Sequence, residues 1–130
     1  MIYLDSSVAL ARILVEDRRP APALWRQSLV SSRLLEYEVW VRLNARDLQR
    51  SHGEVASALI KRVSFIELKP EVLERALQPF PVQVRTLDAL HLASIAFLLG
   101  RGQTVELATY DERLLAAAQA LGVPIVPLPP

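Results

Sequence analysis

The chain contains no cysteine. That excludes disulfides, thiolate zinc sites and a cysteine nucleophile. It also lacks a long uninterrupted apolar run, since its most apolar stretches carry charges or end too soon to span a bilayer. Charge of one sign is missing as well, with 15 Lys and Arg against 14 Asp and Glu, a net of +1. So close a balance does not by itself mark a nucleic-acid binder. Lysine is scarce, and 13 of the 15 basic residues are Arg. Arginine grips phosphate bidentately and stacks on bases, although a GC-rich genome produces the same bias. No basic leader precedes an apolar run, because the first residues read as a strand, and a cytoplasmic location is the expectation. There is no internal repeat and no low-complexity tract.

What is present suits a globular domain. The 130 residues are 52% hydrophobic, and mean hydropathy is +0.24. A chain of this length buries roughly two-thirds of its unfolded surface without staples. Ile2-Tyr3-Leu4 reads as a first strand that ends on Asp5 and passes directly into a helix reaching about Val15. A second, short helix is expected over Ala21 to Leu29, with Leu24, Trp25 and Leu29 in the core. Val30-Ser31-Ser32 reads as a very short strand. A long helix is expected from Leu34 to about Arg50, stopped by Ser51-His52-Gly53, and another from Glu54 to Arg62. Val63 to Leu68 is β-branched and aromatic, as strands are. Helices follow over Val72 to Leu77 and Arg85 to Gly100, then a strand over Thr104 to Thr109. A helix over Asp111 to Leu121 and a last strand over Val123 to Leu128 complete the pattern. Alternation from end to end predicts an α/β fold, a parallel sheet covered by helices on both faces.

In such a sheet, sites form beyond the carboxyl ends of the strands. The acids placed there, or early in the following helices, are Asp5, Glu36 or Glu38, Asp88 and Asp111. Asp5 and Asp111 each suit a helix N-cap, but Ser6 or Ser7 could relieve Asp5 of that task. Asp88 falls in the first turn of an almost wholly apolar helix, where a buried carboxylate needs a partner. On the long helix, Leu34, Tyr37, Val41, Ala45 and Leu48 form one apolar stripe at helical spacing. Glu38 lies at its edge beside Arg42, with which it can pair at i,i+4. Glu36 lies on the other side among charges. Trp40, Leu43 and Val39 lie away from the stripe and are expected against another helix or a partner. His91, one turn after Asp88, reads first as a buried, hydrogen-bonded structural residue, because no nucleophile is visibly paired with it.

Carboxylates 4 Å apart repel by about 4 kcal/mol at an effective dielectric near 20. Four converging acids would consume much of a domain's stability. Protons or a cation must neutralise them. An oxygen-only donor set is the chemistry of Mg²⁺ or Mn²⁺.

Four segments carry a resemblance: Tyr3-Leu4-Asp5-Ser6-Ser7-Val8, Leu35-Glu36-Tyr37-Glu38-Val39, Thr86-Leu87-Asp88-Ala89-Leu90-His91-Leu92-Ala93 and Ala108-Thr109-Tyr110-Asp111-Glu112-Arg113-Leu114. In order and spacing they resemble the acidic motifs of the PIN domain, most closely those of VapC-type toxins. The resemblance covers almost the whole chain and implies one PIN domain over 1–130. It implies a parallel five-stranded sheet of order 3-2-1-4-5 and Mg²⁺- or Mn²⁺-dependent endoribonuclease activity. Asp5, Glu38, Asp88 and Asp111 match the acidic positions, with Asp5 and Asp88 as the first metal ligands and Glu38 and Asp111 completing the shell. Ser6 and Thr109 match hydroxyl positions that would hold water or phosphate. Glu36 competes with Glu38, and only Glu112 follows the last acid. A homodimer held inactive by a small antitoxin is implied as well. A non-catalytic PIN-like module that holds RNA or protein is the alternative. An aspartyl phosphohydrolase or a phospho-receiver would want further acids beside the first, where serines stand.

Overall fold

Strand β1 (Ile2–Leu4) lies inside a parallel sheet and is buried along its whole length. The computed structural model describes residues 1–130. β1 pairs with β2 (Leu29–Ser32) on one side and with β4 (Glu106–Ala108) on the other. Ile2 lies opposite both Leu29 and Glu106. β3 (Val63–Ile66) completes the order β3-β2-β1-β4.

The expected fifth strand does not form a ladder. Ile125 makes a single parallel bridge to Leu107, through Leu107 N–H to the Pro124 carbonyl and Val126 N–H to the Leu107 carbonyl, each 2.8 Å. Pro124 and Pro127 flank that bridge. Neither has an N–H to donate, so pairing cannot extend.

Successive strand residues feed opposite cores. Ile2, Leu4, Leu29 and Val63 pack with α1 (Ser6–Ile13), α2 (Leu34–Ala45) and α3 (Gln49–Lys61). Tyr3, Val30, Ile66 and Leu107 pack with α4 (Pro70–Ala76), α5 (Thr86–Gly100) and α6 (Glu112–Ala120). Leu24 and Trp25 are buried, as expected, but in a short 3-10 helix over Pro22–Arg26. No helix is long and apolar enough to cross a membrane.

Two helices fill 34–62, as expected, but the break between them falls at 46–48 rather than at Ser51-His52-Gly53. The chain turns at Asp47, whose φ is 55°, and α3 begins at Gln49. Ser51-His52-Gly53 therefore lies inside α3 rather than ending a helix. Gly53 faces Trp40, where a Cβ would stand 3.4 Å from the indole, an ordinary van der Waals contact. The buried stripe of α2 is also a different one. Leu35, Val39 and Leu43 face the core at i, i+4, i+8, while Tyr37 and Val41 are exposed. Val39 and Leu43 thus pack within the chain.

Candidate active site

β1 and β4 are neighbours, and each runs into a helix capped by an aspartate. Asp5 caps α1, and Asp111 caps α6, accepting from Arg113 N–H at 2.9 Å and Leu114 N–H at 3.1 Å. Parallel pairing puts both caps at the carboxyl edge of the sheet. Ser6 and Ser7 do not relieve Asp5 of capping: its Oδ2 accepts the Ser7 N–H at 3.4 Å.

Asp5 is buried and firmly held. The same Oδ2 accepts the Ser7 hydroxyl at 2.6 Å and the Thr109 hydroxyl at 2.8 Å. Each hydroxyl has one proton, and both protons are committed to Asp5. As acceptors, Ser7 Oγ takes the Tyr110 N–H and Thr109 Oγ1 takes the Asp111 N–H, each at 2.9 Å. One small network therefore fixes Asp5, Asp111 and the β4–α6 turn together. All three bonds to Asp5 fall on Oδ2, which leaves Oδ1 free for a ligand. Ser6, the first residue of α1, takes no part in this network and is half-buried.

Asp88 lies in the first turn of α5, its side chain 14% exposed. Burial pushes its carboxyl above the usual carboxylate range. The Asp111 charge pushes the same way, Arg85 opposes, and Asp5 adds to the rise. Asp88 thus feels both of the other aspartates, although 106 positions separate Asp5 from Asp111. Arg85 lies 3.8 Å from Asp88 but is 63% exposed, so the pair is screened and weak.

Glu38 reaches the site by another route. Its Oε1 accepts from His91 Nε2 at 2.7 Å, and Tyr3 Oη lies 2.8 Å from His91 Nδ1. The Ser32 N–H donates to Tyr3 Oη at 3.1 Å. With the phenol donating to Nδ1, Nε2 carries the proton that Glu38 receives. Burial disfavours a charged His91, yet the Glu38 bond and charge, with those of Asp5 and Asp88, outweigh it and raise its pKa. Burial also pushes the Tyr3 phenol far up, so it stays protonated. Glu38 is therefore bound to His91 and not paired with Arg42. Glu36 points to Arg33 at 3.8 Å, on the solvent side. His91 is buried and hydrogen-bonded as expected, but it also positions one of the four acids. By sequence Ser7 is no more than an alternative cap, and Tyr3 is not singled out at all. The only local sign of Ser7's role is its place two residues after Asp5.

As the side chains stand, no three His, Asp or Glu groups are gathered closely enough to form a metal-ligand cluster. The largest cavity, about 750 Å³, lies between α4, residues 77–84 and the start of α5, and it contains none of the four acids.

A parallel sheet with aspartates at the ends of adjacent strands agrees with what comparison finds: residues 2–120 match the PIN domain, and the chain belongs to that family. Within it, the chain is similar to VapC-type proteins. Ribonuclease VapC46 of Mycobacterium tuberculosis is 34% identical over 96% of this chain and 95% of its own length. Ribonuclease VapC47 of the same species is 28% identical, over 94% of this chain and 93% of its own. Among solved structures, a toxin-antitoxin complex from Klebsiella pneumoniae contains a chain of the same fold. Its TM-score is 0.63 at 18% identity, over 98% of this chain and 97% of that one.

Proposed function

We propose that this chain, a single PIN domain over 1–130, is a Mg²⁺- or Mn²⁺-dependent endoribonuclease and the toxin of a toxin–antitoxin pair. The observation that carries the reading is the placement of Asp5 and Asp111 at the ends of adjacent parallel strands, tied together through Thr109, with the buried Asp88 carboxyl facing their charges. Family membership and relatives named as ribonucleases support it. Mg²⁺ keeps most of its waters and takes one or two protein carboxylates directly. An oxygen-only donor set with no tight cluster fits such an ion. Asp5, through its free Oδ1, and Asp88 would hold it, with Glu38 and Asp111 reached through its waters. When bound, the ion supplies Lewis-acid chemistry, acidifying water and countering phosphoryl charge.

The chain's own residues do the rest. Ser7 and Thr109 lock the orientation of Asp5. His91 holds Glu38 toward the same edge. Ser6 has its hydroxyl free to orient water or a phosphate oxygen, and Thr109 acts through Asp5. Water attacks phosphorus in line, and the leaving oxygen takes up a proton as the P–O bond breaks. Incubating RNA with Mn²⁺ and mapping the ends tests this. The parent chain cuts at defined positions, and Asp5→Asn loses at least about a hundredfold in rate, the scale of a lost electrostatic stabiliser. Undiminished cutting by Asp5→Asn would overturn the assignment.

A cytoplasmic homodimer with a small antitoxin belongs to the same reading. The fold likeness to a chain from a toxin-antitoxin complex supports an antitoxin. Exposed Leu73, Leu77, Val82 and Leu87 offer apolar surface to a protein partner.

A further inference from the structure

Beside the acids, on the α1–α2 side, lies a separate cavity of about 170 Å³. Its polar lining is Ser7, Glu16, Arg18, Arg42, Arg46 and Tyr110, over a floor of apolar α1 side chains. Drug-sized ligands occupy roughly 300 Å³ and more, so this space suits one small group. Three guanidiniums against the single Glu16 carboxylate leave two positive charges in excess. None of the three arginines forms an ion pair or donates a side-chain hydrogen bond within the chain. Arg42 and Arg46 stand at i,i+4 on one helix face, where like charges repel.

Two further features point to a ligand. The Tyr110 hydroxyl is buried with no hydrogen-bond partner, a state that buried polar groups rarely keep. Arg18 lies over the Tyr110 ring at 4.4 Å, which holds its otherwise exposed guanidinium at the rim. The backbone brings it there by turning sharply after α1, at Val15, whose φ is 52°.

Ser7 links the cavity to Asp5. It lines the cavity and also donates to Asp5 Oδ2 at 2.6 Å. Tyr110, the residue before Asp111, lines it as well. A polyanion whose reacting phosphate sat at Asp5 would therefore lay an adjoining phosphate here. We propose that Arg42, Arg46 and Arg18, with the Tyr110 hydroxyl, form a subsite for a backbone phosphate of single-stranded RNA next to the one cleaved. This deepens the ribonuclease reading and rests on it. Arginine's planar fork suits two phosphate oxygens at once, and an aromatic beside a basic groove is how single strands are held without base readout.

Anisotropy of a short fluorescein-labelled single-stranded RNA, in EDTA to prevent cutting, tests the subsite. Arg42→Ala/Arg46→Ala should weaken binding about tenfold and lower the slope of log Kd against log salt by about 0.7, the share of one single-strand phosphate. Arg42→Lys/Arg46→Lys should keep the salt slope yet recover only part of the affinity, because lysine cannot form the fork. Arg26→Ala, at an exposed position apart from the cavity, should bind as the parent does. A double alanine variant that binds RNA with the parent's affinity and slope would overturn the proposal. So would a variant that keeps RNA binding but loses binding of a poly-glutamate peptide, which would make the cavity an acidic-peptide site. Cutting by the parent chain with Mn²⁺ is measured separately. Its absence would sink the ribonuclease reading and leave the binding comparison readable.

Discussion

At the scale of single residues, the site sets one well-held carboxylate beside one uncomfortable carboxylate. Asp5 spends Oδ2 on three donors and keeps Oδ1 open. Asp88 has no comparable partner, and burial and its neighbours' charges hold its proton on more tightly than in the unfolded chain. The sign of the consequence follows from linkage. Below the ordinary value of 3.8, folded and unfolded chains both keep the proton, and Asp88 costs nothing. As pH rises above that, the unfolded chain releases the proton first, so folding loses stability until the raised folded pKa is passed. Without divalent cation, Asp88→Asn should therefore melt above the parent at neutral pH, and the two curves should converge as pH falls toward 3.8. Thermal melts in EDTA across that range check it, and equal melting temperatures at neutral pH would contradict it. Divalent cation should narrow the gap, since it stabilises only the chain that retains the carboxylate.

At the scale of elements, the buried chain Ser32–Tyr3–His91–Glu38 ties β2, β1, α5 and α2 together. Tyr3→Phe keeps the ring and removes only the hydroxyl. It leaves the buried Ser32 N–H without its acceptor and His91 Nδ1 without its donor, at a cost of about 1–3 kcal/mol. Urea unfolding measures this, and a variant as stable as the parent would show that the chain carries no stability. The same bond explains a misreading at α2. By sequence, Leu34, Tyr37 and Val41 make as good a stripe as Leu35, Val39 and Leu43, because apolar residues lie all round the helix. Its rotation is settled by sheet packing and by a hydrogen bond between residues 53 apart in sequence, neither visible locally. The place of the α2–α3 break was likewise hidden, since Asp47 adopts a left-handed conformation with no glycine to announce it, while Gly53 draws the expected break some residues too late. The acids at the strand ends were legible. A strand that stops on Asp and passes straight into a helix leaves the cap little choice of place. The unformed fifth strand had its signal in Pro124 and Pro127, which block a ladder whatever the hydropathy between them.

At the scale of the whole molecule, a sheet buried on both faces carries function only at its edge. Alternating strand residues fill two cores, and the loops after β1 and β4 are left to carry charge. At that edge Ser7 is bonded to both Asp5 and Tyr110, and with Tyr110 it lines the arginine-bearing cavity. Negative groups suit a cation, and the adjoining positive groups suit the phosphates of an RNA strand. Under the proposed function, the four acids make one divalent-cation site with Asp5 at its middle. Calorimetric titration of Mn²⁺ into the parent chain and into Asp5→Asn tests it most directly. The parent should bind saturably and the variant about tenfold or more weakly, at least the effect of losing a supporting ligand. A parent chain that takes up no Mn²⁺, or an Asp5→Asn chain that binds it equally well, would contradict it.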